Sequence, residues 1–292
     1  MRVLVYEHLT ASGPDDGSSM YREGRAMRDA LVADLQMIDG VEVVDARADF
    51  AFVIAPETDG ILEEQVARFR LSGPVIAPSP EALALTRDKL ALARHWQRSN
   101  VPTPDTTLAS EWPTARRPAV VKPRDGAGSC ETDLVHEGEL RSGGIAQDYV
   151  AGRAASVAFL IGPRQTIPLL PTFQHLSDDG RFRYLGGELP IPAPLAKRAI
   201  ELGRRAIGCV PGLVGYVGVD LILGDSPDGR DDCAIEINPR LTTSYIGLRA
   251  LADFNIPTIL LALFRDKPVG ERKWKPGRVS FTSDGVVKHA MG

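Results

Sequence analysis

Apolar positions in the first part of the chain alternate between strand-like runs and a helical pattern. Residues 3–6 form a short apolar run, which predicts a strand over residues 2–6. A helical pattern follows and is expected to end near Gly40; its apolar positions are Met27, Ala30, Leu31, Leu35 and Ile38. Two further apolar runs, residues 41–44 and 50–55, predict strands. This β-α-β alternation favours a parallel sheet covered by helices, which is the α/β fold class.

The rest of the chain predicts mostly strands. Thr86 is placed to cap a helix over residues 87–98, and further helices are expected over residues 194–208 and 242–252. Residues 174–180 indicate a polar connection, and no motif follows Lys267. The predicted strands cover residues 75–77, 119–123, 156–161, 166–170, 215–223 and 233–238.

Composition and charge exclude several classes of function. The 292 residues carry a net charge of −4, so no basic surface for nucleic acid is expected. No apolar run approaches membrane-spanning length, and the first strand leaves no room for a signal segment, so no membrane partner is expected. Three widely spaced cysteines argue against a disulfide framework or a zinc site. We therefore expect a cytoplasmic protein.

Two neighbouring strands predict a metal site. Strand alternation puts Glu236, Asn238 and Arg240 on one face, and Asp220 is the only acid in the preceding apolar strand. The residues between the two strands have turn composition, so a hairpin would bring Asp220 and Glu236 together. Carboxylate and amide oxygens suit Mg²⁺. The alternative is that both acids face solvent on an ordinary hairpin. Because Asn238 and Arg240 are predicted to lie on the same face as Glu236, the metal site is the favoured interpretation.

Two lysines and a short loop predict a phosphate site. Lys89 lies in the first turn of its predicted helix, where the helix dipole disfavours a cation, and this suggests a function other than that of a surface lysine. Lys122 lies at the end of a strand and precedes a small-residue loop that contains Gly126, Ala127, Gly128 and Ser129. Glycines let backbone amides approach an anion closely. An ordinary turn has the same composition, and the spacing is not that of a Walker-type loop.

These motifs resemble the ATP-grasp superfamily, whose signature is an Asp on one strand and Glu-x-Asn on the next. The run from Glu236 to Tyr245 is similar to the branch that contains the tyramine–glutamate ligases of methanofuran biosynthesis, and the similarity extends over nearly the whole chain. The resemblance implies an α/β fold that is α+β in part. It divides the chain into a Rossmann-like N-terminal parallel-sheet domain (1–82), a small lid subdomain with a linker helix (83–154) and a C-terminal antiparallel-sheet subdomain with the metal site (155–292).

The resemblance also implies the cofactors ATP and Mg²⁺, with Mn²⁺ as an alternative metal. Asp220, Glu236 and Asn238 would hold the metal, and Lys89 and Lys122 would bind phosphate oxygens beneath the loop that ends at Ser129. The catalytic residues would be Arg240 and Lys122. The adenine-binding strand is expected at Gln147, Asp148, Tyr149 and Val150.

The ribose contact is open, because Ala154 stands near the place where many members carry an acid. Ser156 is the remaining candidate. Plain core packing is the alternative for Tyr149 and Val150, and it is compatible with contact to adenine.

Polar residues after two predicted strands are candidates for binding the substrate. Glu7 follows the first strand, and Glu57, Thr58 and Asp59 follow the strand at 50–55, at the sheet edge where such folds bind ligands. A polar turn is the alternative. The hydroxyls of Thr242, Thr243 and Ser244 could bind an anionic substrate or cap a helix. His175, in the predicted polar connection, is not included among the candidate catalytic residues.

The expected function is an ATP-dependent carboxylate–amine ligase, and the resemblance implies L-glutamate and an aromatic amine such as tyramine as small-molecule partners. Two alternatives remain open: an ATP-dependent small-molecule kinase, which would release a phosphorylated product, and a nucleotide-binding module without catalysis. The resemblance also suggests a homodimer.

Overall fold

The computed structural model describes residues 1–113, 118–128, 131–136 and 143–290. Its helices are α1 (His8–Ser12), α2 (Ser19–Gln36), α3 (Ile61–Arg70), α4 (Pro80–Arg87), α5 (Lys89–Arg98), α6 (Ala193–Gly208), α7 (Ser244–Leu251) and α8 (Ile256–Phe264). Its strands are β1 (Arg2–Glu7), β2 (Glu42–Val43), β3 (Phe50–Ile54), β4 (Thr106–Leu108), β5 (Ala119–Lys122), β6 (Asp133–Val135), β7 (Ile145–Asp148), β8 (Arg153–Ile161), β9 (Thr166–Pro168), β10 (Thr172–Leu176), β11 (Tyr184–Leu189), β12 (Gly215–Leu223), β13 (Cys233–Asn238), β14 (Arg278–Thr282) and β15 (Val287–Ala290).

The N-terminal part is the predicted parallel sheet, with strand order β2-β1-β3. Strand alternation along β3 gives each face its own core. Phe52 and Ile54 belong to the core on the α2 side, whereas Ala51 and Val53 belong to the core on the α3 side. The strand expected at residues 75–77 is reduced to a single parallel bridge between Ala51 and Val75.

The helix predicted over residues 87–98 is two helices that meet at Asp88. The Asp88 carboxylate accepts hydrogen bonds from the N–H groups of Leu90 (3.1 Å) and Ala91 (3.0 Å), so Asp88 is the N-cap of α5. The predicted cap at Thr86 is wrong. Thr86 lies inside α4 and donates its hydroxyl to the Ala82 carbonyl at 2.8 Å. The break places Lys89 at the first position of α5.

Two antiparallel sheets form the remainder. The smaller has the strand order β4-β7-β5-β6, and the larger runs β13-β12-β8-β10-β11-β14-β15, with β9 paired to β8. Each of the three sequence ranges proposed above, 1–82, 83–154 and 155–292, contains essentially one of the three sheets, and we keep these boundaries as a proposal.

The polar connection expected at residues 174–180 is wrong at its start, because Gln174 and His175 lie within β10. The sequence also missed β11, where Gly186 and Gly187 obscure the strand pattern. A Cβ on Gly187 would lie 2.5 Å from the Phe173 carbonyl oxygen, so close approach of the backbones requires glycine there.

The large sheet is buried on both faces. On one face, Val157, Phe159 and Val217 pack with α6; on the other, Ala158 and Leu160 belong to the core that includes α7 and α8.

Among the described residues, no helix combines the length and apolar character needed to cross a membrane.

Candidate active site

A cavity of about 450 Å³ lies between the small and the large antiparallel sheets. Most of the residues predicted from the sequence line it: Thr58, Lys89, Lys122, Gly126, Ala127, Gly128, Gln147, Asp148, Tyr149, Val150, Ser156, Asp220, Glu236, Asn238, Arg240, Thr242, Thr243 and Ser244. Glu7, Glu57 and Asp59 are not part of this lining, and Ser129 lies outside the described residues. Residues far apart in the sequence are thus brought together.

The acids of the predicted metal site face each other across one hairpin. Asp220 on β12 is directly opposite Glu236 on β13. Gln174 Nε2 donates to Asp220 Oδ1 and Asn238 Nδ2 donates to Asp220 Oδ2, both at 3.1 Å. Because the Asn238 nitrogen is bound to Asp220, its carbonyl oxygen remains an acceptor or metal donor.

The two carboxyls differ in their tendency to ionise. Burial raises the pKa of Asp220 to about 7, and the neighbouring Glu236 adds to this effect. Burial alone would raise the pKa of Glu236, but Lys89 and Lys122 outweigh it and hold this pKa below its ordinary value. Glu236 is therefore the carboxylate that stays charged, and a cation beside it would also favour the charged form of Asp220.

The donor set fits Mg²⁺ better than a metal held only by protein side chains. No group of three or more His, Cys, Asp or Glu side chains suited to a metal occurs in the described part of the chain. Two carboxylates and one amide oxygen converge instead. Mg²⁺ commonly takes one or two carboxylates from the protein and completes its octahedron with water and substrate phosphates.

Two lysines enter the cavity from different elements. Lys89 Nζ donates to the Gly126 carbonyl at 2.7 Å and lies 3.6 Å from Glu236 Oε2. Lys122 is 8% exposed, and burial lowers its pKa to about 8 although Glu236 acts in the opposite direction. Gly126 and Gly128 have φ of +133° and +71°, so the loop beside the lysines uses backbone conformations that favour glycine. These groups could hold the phosphates of a nucleotide.

The segment predicted to bind adenine includes a backbone N–H without a partner in the part of the chain that the structure describes. The N–H of Asp148 donates to the Asp105 carbonyl at 3.0 Å and that of Tyr149 to the Pro118 carbonyl at 3.3 Å, and no partner for the Val150 N–H is found among the described residues. The Tyr149 ring stacks with Phe182, with centroids 6.5 Å apart. An open donor beside flat apolar cover suits a planar base.

The ribose contact remains a prediction. Ala154 lines the cavity and offers no polar side chain. Ser156 is directly opposite Asp220 in the β8–β12 ladder, which places it on the metal side of the cavity.

Arg240 is held by an acid from the N-terminal sheet. Its Nη2 donates to Glu57 Oε2 at 2.9 Å, and the two side chains are 12% and 6% exposed. Burial would lower the pKa of Arg240, but Glu57 outweighs it and keeps the guanidinium charged. Glu57 thus acts on the cavity through Arg240, although it does not line it.

The hydroxyl groups after β13 form a small network. Thr242 Oγ1 and Ser244 Oγ lie 2.8 Å apart, and the Tyr216 hydroxyl lies 3.3 Å and 3.2 Å from them. Thr243 instead donates to Glu23 Oε2 at 3.4 Å. Thr243 precedes α7 without a side-chain capping bond, so the predicted capping alternative does not apply to it.

Two predicted substrate residues have other partners. The Glu7 carboxylate accepts from the N–H groups of Leu9 (3.1 Å) and Thr10 (2.8 Å) and so caps α1. The Asp59 N–H donates to Asp125 Oδ2 at 3.2 Å. Neither arrangement brings these side chains into the cavity, and their role in substrate binding stays a prediction.

Several lining residues were missed by the sequence analysis, namely Glu23, Gln174, Leu176, Phe182 and Tyr184. Gln174 lies in a strand that composition did not reveal. Glu23 lies on α2, where helical spacing identifies the buried face but carries no signal for a distant cavity.

Comparison with known proteins agrees with this geometry. The family model described as an ATP-grasp domain matches residues 86–244. Tyramine–L-glutamate ligase of Methanocaldococcus jannaschii is 28% identical over 319 residues, covering 97% of this chain and 94% of the relative. The ligase of the same name from Methanocaldococcus fervens is 28% identical over 284 residues, with 85% and 89% covered.

Solved structures show the same fold. A crystal structure of an ATP-grasp superfamily protein from Archaeoglobus fulgidus has a TM-score of 0.76 at 24% identity and covers 97% of this chain and 92% of its own. The ADP complex of the N5-carboxyaminoimidazole ribonucleotide synthetase purK has a TM-score of 0.67 at 13% identity, covering 96% and 80%. The resemblance and the fold class expected from the sequence are confirmed, and because the family model spans more than half of the 292 residues, the chain belongs to the ATP-grasp family.

Proposed function

We propose that the protein is an ATP-dependent carboxylate–amine ligase that works through an acyl phosphate. The observation that carries the proposal is the convergence of Asp220, Glu236, Asn238, Lys122 and Arg240 on one cavity. The similarity to tyramine–L-glutamate ligases over nearly the whole chain supports ligation as the reaction.

The reaction begins with activation of the acid. A substrate carboxylate oxygen attacks the γ-phosphorus of ATP, the bond from that phosphorus to the β,γ-bridging oxygen breaks, and ADP leaves with the electron pair. Lys89 and Lys122 bind the phosphate oxygens and orient them for this displacement. Arg240 stabilises the negative charge that spreads over the transferring group. Arg240 and Lys122 are therefore the proposed catalytic residues.

Asp220, Glu236 and Asn238 would hold Mg²⁺, which supplies charge neutralisation on the β- and γ-phosphates when bound. Mn²⁺ is the alternative metal. The adenine lies against Tyr149, with the open Val150 N–H as donor and Gln147 and Asp148 in the supporting strand. The loop at Gly126, Ala127 and Gly128 covers the phosphates.

The second half of the reaction forms the amide. An amine attacks the acyl carbon, the carbon–oxygen bond to phosphate breaks, and phosphate leaves. The Arg240 guanidinium stabilises the tetrahedral intermediate. Thr58, Thr242 and Ser244 line the cavity and bind the acid, and Glu57 contributes by positioning Arg240.

The substrates that we propose are L-glutamate, joined through its γ-carboxylate, and tyramine or a similar aromatic amine. The names of the relatives that match most of the chain support this pair. The product fits the biosynthesis of a methanofuran-like one-carbon cofactor in the cytoplasm. A homodimer stays a prediction.

The test is ADP release with Mg²⁺ and ATP in the presence of L-glutamate and tyramine, each alone and together, with mass spectrometry of the product. ADP together with a condensed amide only when both are present is the expected result. A released phosphorylated acid with no amide would instead indicate a kinase. No ADP with this pair, but ADP with a non-aromatic amine, would reject tyramine and keep the ligase.

A further inference from the structure

A second cavity adjoins the one that holds the predicted ATP site. Its volume is about 710 Å³, and the lining residues that it shares with the first cavity are Glu23, Gly128, Glu131, Thr132 and Tyr184. The nucleotide and the acid occupy the first cavity in the proposed reaction. The second cavity adjoins the first, and Glu23 lies where the two cavities meet.

The Glu23 carboxylate has capacity for a further donor. Among the described residues, its hydrogen bond comes from Thr243 Oγ1 at 3.4 Å. A carboxylate has about four acceptor sites, so most of them remain open at the junction of the two cavities. Arg240 attracts Glu23 electrostatically, which places Glu23 in the neighbourhood of the guanidinium assigned to the acyl phosphate.

The environment of Glu23 also makes it a better base than an ordinary glutamate. Burial raises its pKa to about 7, although Arg240, Thr243 and Arg22 act in the opposite direction. Tyr184 also faces it. The other charged side chains that line the second cavity, among the described residues, are Arg22, Arg181, Arg183, Glu131 and Asp133. General bases work best when their pKa lies near the operating pH.

We propose that Glu23 is the catalytic base for the amine substrate: its carboxylate binds the substrate ammonium where the two cavities meet and takes the proton that nitrogen must lose before attack. This inference rests on the proposed function, because it needs an amine acceptor. It assigns a role to a residue that the sequence analysis left without one.

The proton balance of the step is complete. The substrate ammonium gives one proton to Glu23, and the nitrogen lone pair then forms the bond to the acyl carbon. The carbon–oxygen bond breaks, and its electrons leave on the phosphate. The second nitrogen proton goes to this phosphate, which departs as hydrogenphosphate. Glu23 releases its proton to solvent before the next turnover.

The test compares two nucleophiles in the variant Glu23→Gln. Its side-chain oxygen can still accept from Thr243, but the amide is not a base. Amide formation from L-glutamate and tyramine is expected to fall about 100-fold, at the lower end of the range for a general base. Hydroxylamine is uncharged at neutral pH and traps the acyl phosphate as a hydroxamate without help from a base. Hydroxamate formation by Glu23→Gln should therefore remain within a few-fold of wild type.

The controls are Asp29→Asn, which removes an exposed acid from the same helix, and Glu23→Asp, which retains a carboxylate and should recover part of the lost rate. An equal loss of amide and hydroxamate in Glu23→Gln, or unchanged amide formation, would overturn the role of Glu23 while leaving the ligase intact. A wild-type protein that makes neither product would overturn the ligase function and this inference together.

Discussion

Arg240 and Glu57 form a buried ion pair that joins the strand of the metal site to the N-terminal sheet. Arg240 Nη2 lies 2.9 Å from Glu57 Oε2. Arg240 Nε and Glu57 Oε1 are buried and have no hydrogen-bond partner among the described residues. The pair therefore fixes the guanidinium, and the Arg240 Nε donor and the Glu57 Oε1 acceptor stay buried beside it.

We predict that Glu57→Gln destabilises the protein by about 3–5 kcal/mol, because it removes the carboxylate that is hydrogen-bonded to the buried Arg240 charge. Urea unfolding at neutral pH measures the loss. The double variant with Arg240→Met should be more stable than Glu57→Gln alone, since the buried charge is gone. Glu64→Gln, an exposed position on α3, is the matched control. Equal stability of Glu57→Gln and Glu64→Gln would contradict the prediction.

A second prediction concerns turnover. Arg240→Ala should lower kcat by on the order of 10²–10³, the usual cost of removing one electrostatic donor from a reacting centre. The Kd for ATP should change little, because Lys89 and Lys122 remain. Kinetics and nucleotide titration measure the two effects separately. Arg230→Ala, at an exposed position in the β12–β13 turn, should leave both unchanged. Turnover near wild type in Arg240→Ala would remove Arg240 from the mechanism.

The sequence was most informative where local chemistry and fold coincide. Strand alternation placed Glu236, Asn238 and Arg240 on one face, and all three line the cavity. Turn composition correctly predicted the hairpin that sets Asp220 opposite Glu236. These features depend on near neighbours in the chain, so local rules are sufficient to predict them.

Two kinds of feature could not be predicted in this way: those that depend on distant contacts, and those for which two local interpretations of the sequence compete. Gln174 donates to Asp220 from a strand that is recognised only through its pairing with β8 and β11. Glu7 is the last residue of β1, at the strand end where a ligand-binding residue would lie, but the chain turns into a short helix whose N–H groups occupy its carboxylate. Asp88 was overlooked as a cap because Thr86 satisfies the same sequence rule two residues earlier.

A third prediction tests the metal ligands. Asp220→Asn should raise the Mg²⁺ concentration for half-maximal activity by at least about 10–100-fold, the range seen on loss of an outer-sphere partner. Asp228→Asn, an exposed acid in the adjoining turn, should leave this concentration unchanged. The same requirement for Mg²⁺ in both variants would exclude Asp220 as a ligand.

The same substitution should stabilise the metal-free protein, and the gain should depend on pH. Burial raises the pKa of Asp220 from 3.8 to about 7, so the folded state binds more protons than the unfolded state between these values. Wild-type stability therefore falls as the pH rises through this interval. Above about pH 7 the buried Asp220 is charged, and its full destabilising effect is present. Asp220→Asn removes this destabilising charge. Its Tm advantage should be larger at alkaline than at acidic pH, and a gain independent of pH would contradict this account.

The last prediction links nucleotide affinity to Lys122. Burial lowers the pKa of this lysine from 10.5 to about 8, so in the free protein the side chain loses its charge as the pH rises through about 8. ATP binds the charged form, and above this pH binding must take up a proton, so Kd should rise by up to about tenfold per pH unit.

Calorimetry in two buffers of different ionisation enthalpy measures this proton uptake. Lys122→Met should bind ATP weakly and without the step at about pH 8, because no titrating group remains at that position, whereas Lys267→Met, at an exposed position, should behave like the wild type. If Lys122→Met retained the step, the proton would belong to another group. Lys122 would then be a fixed positive charge, and its burial would have no consequence for nucleotide binding.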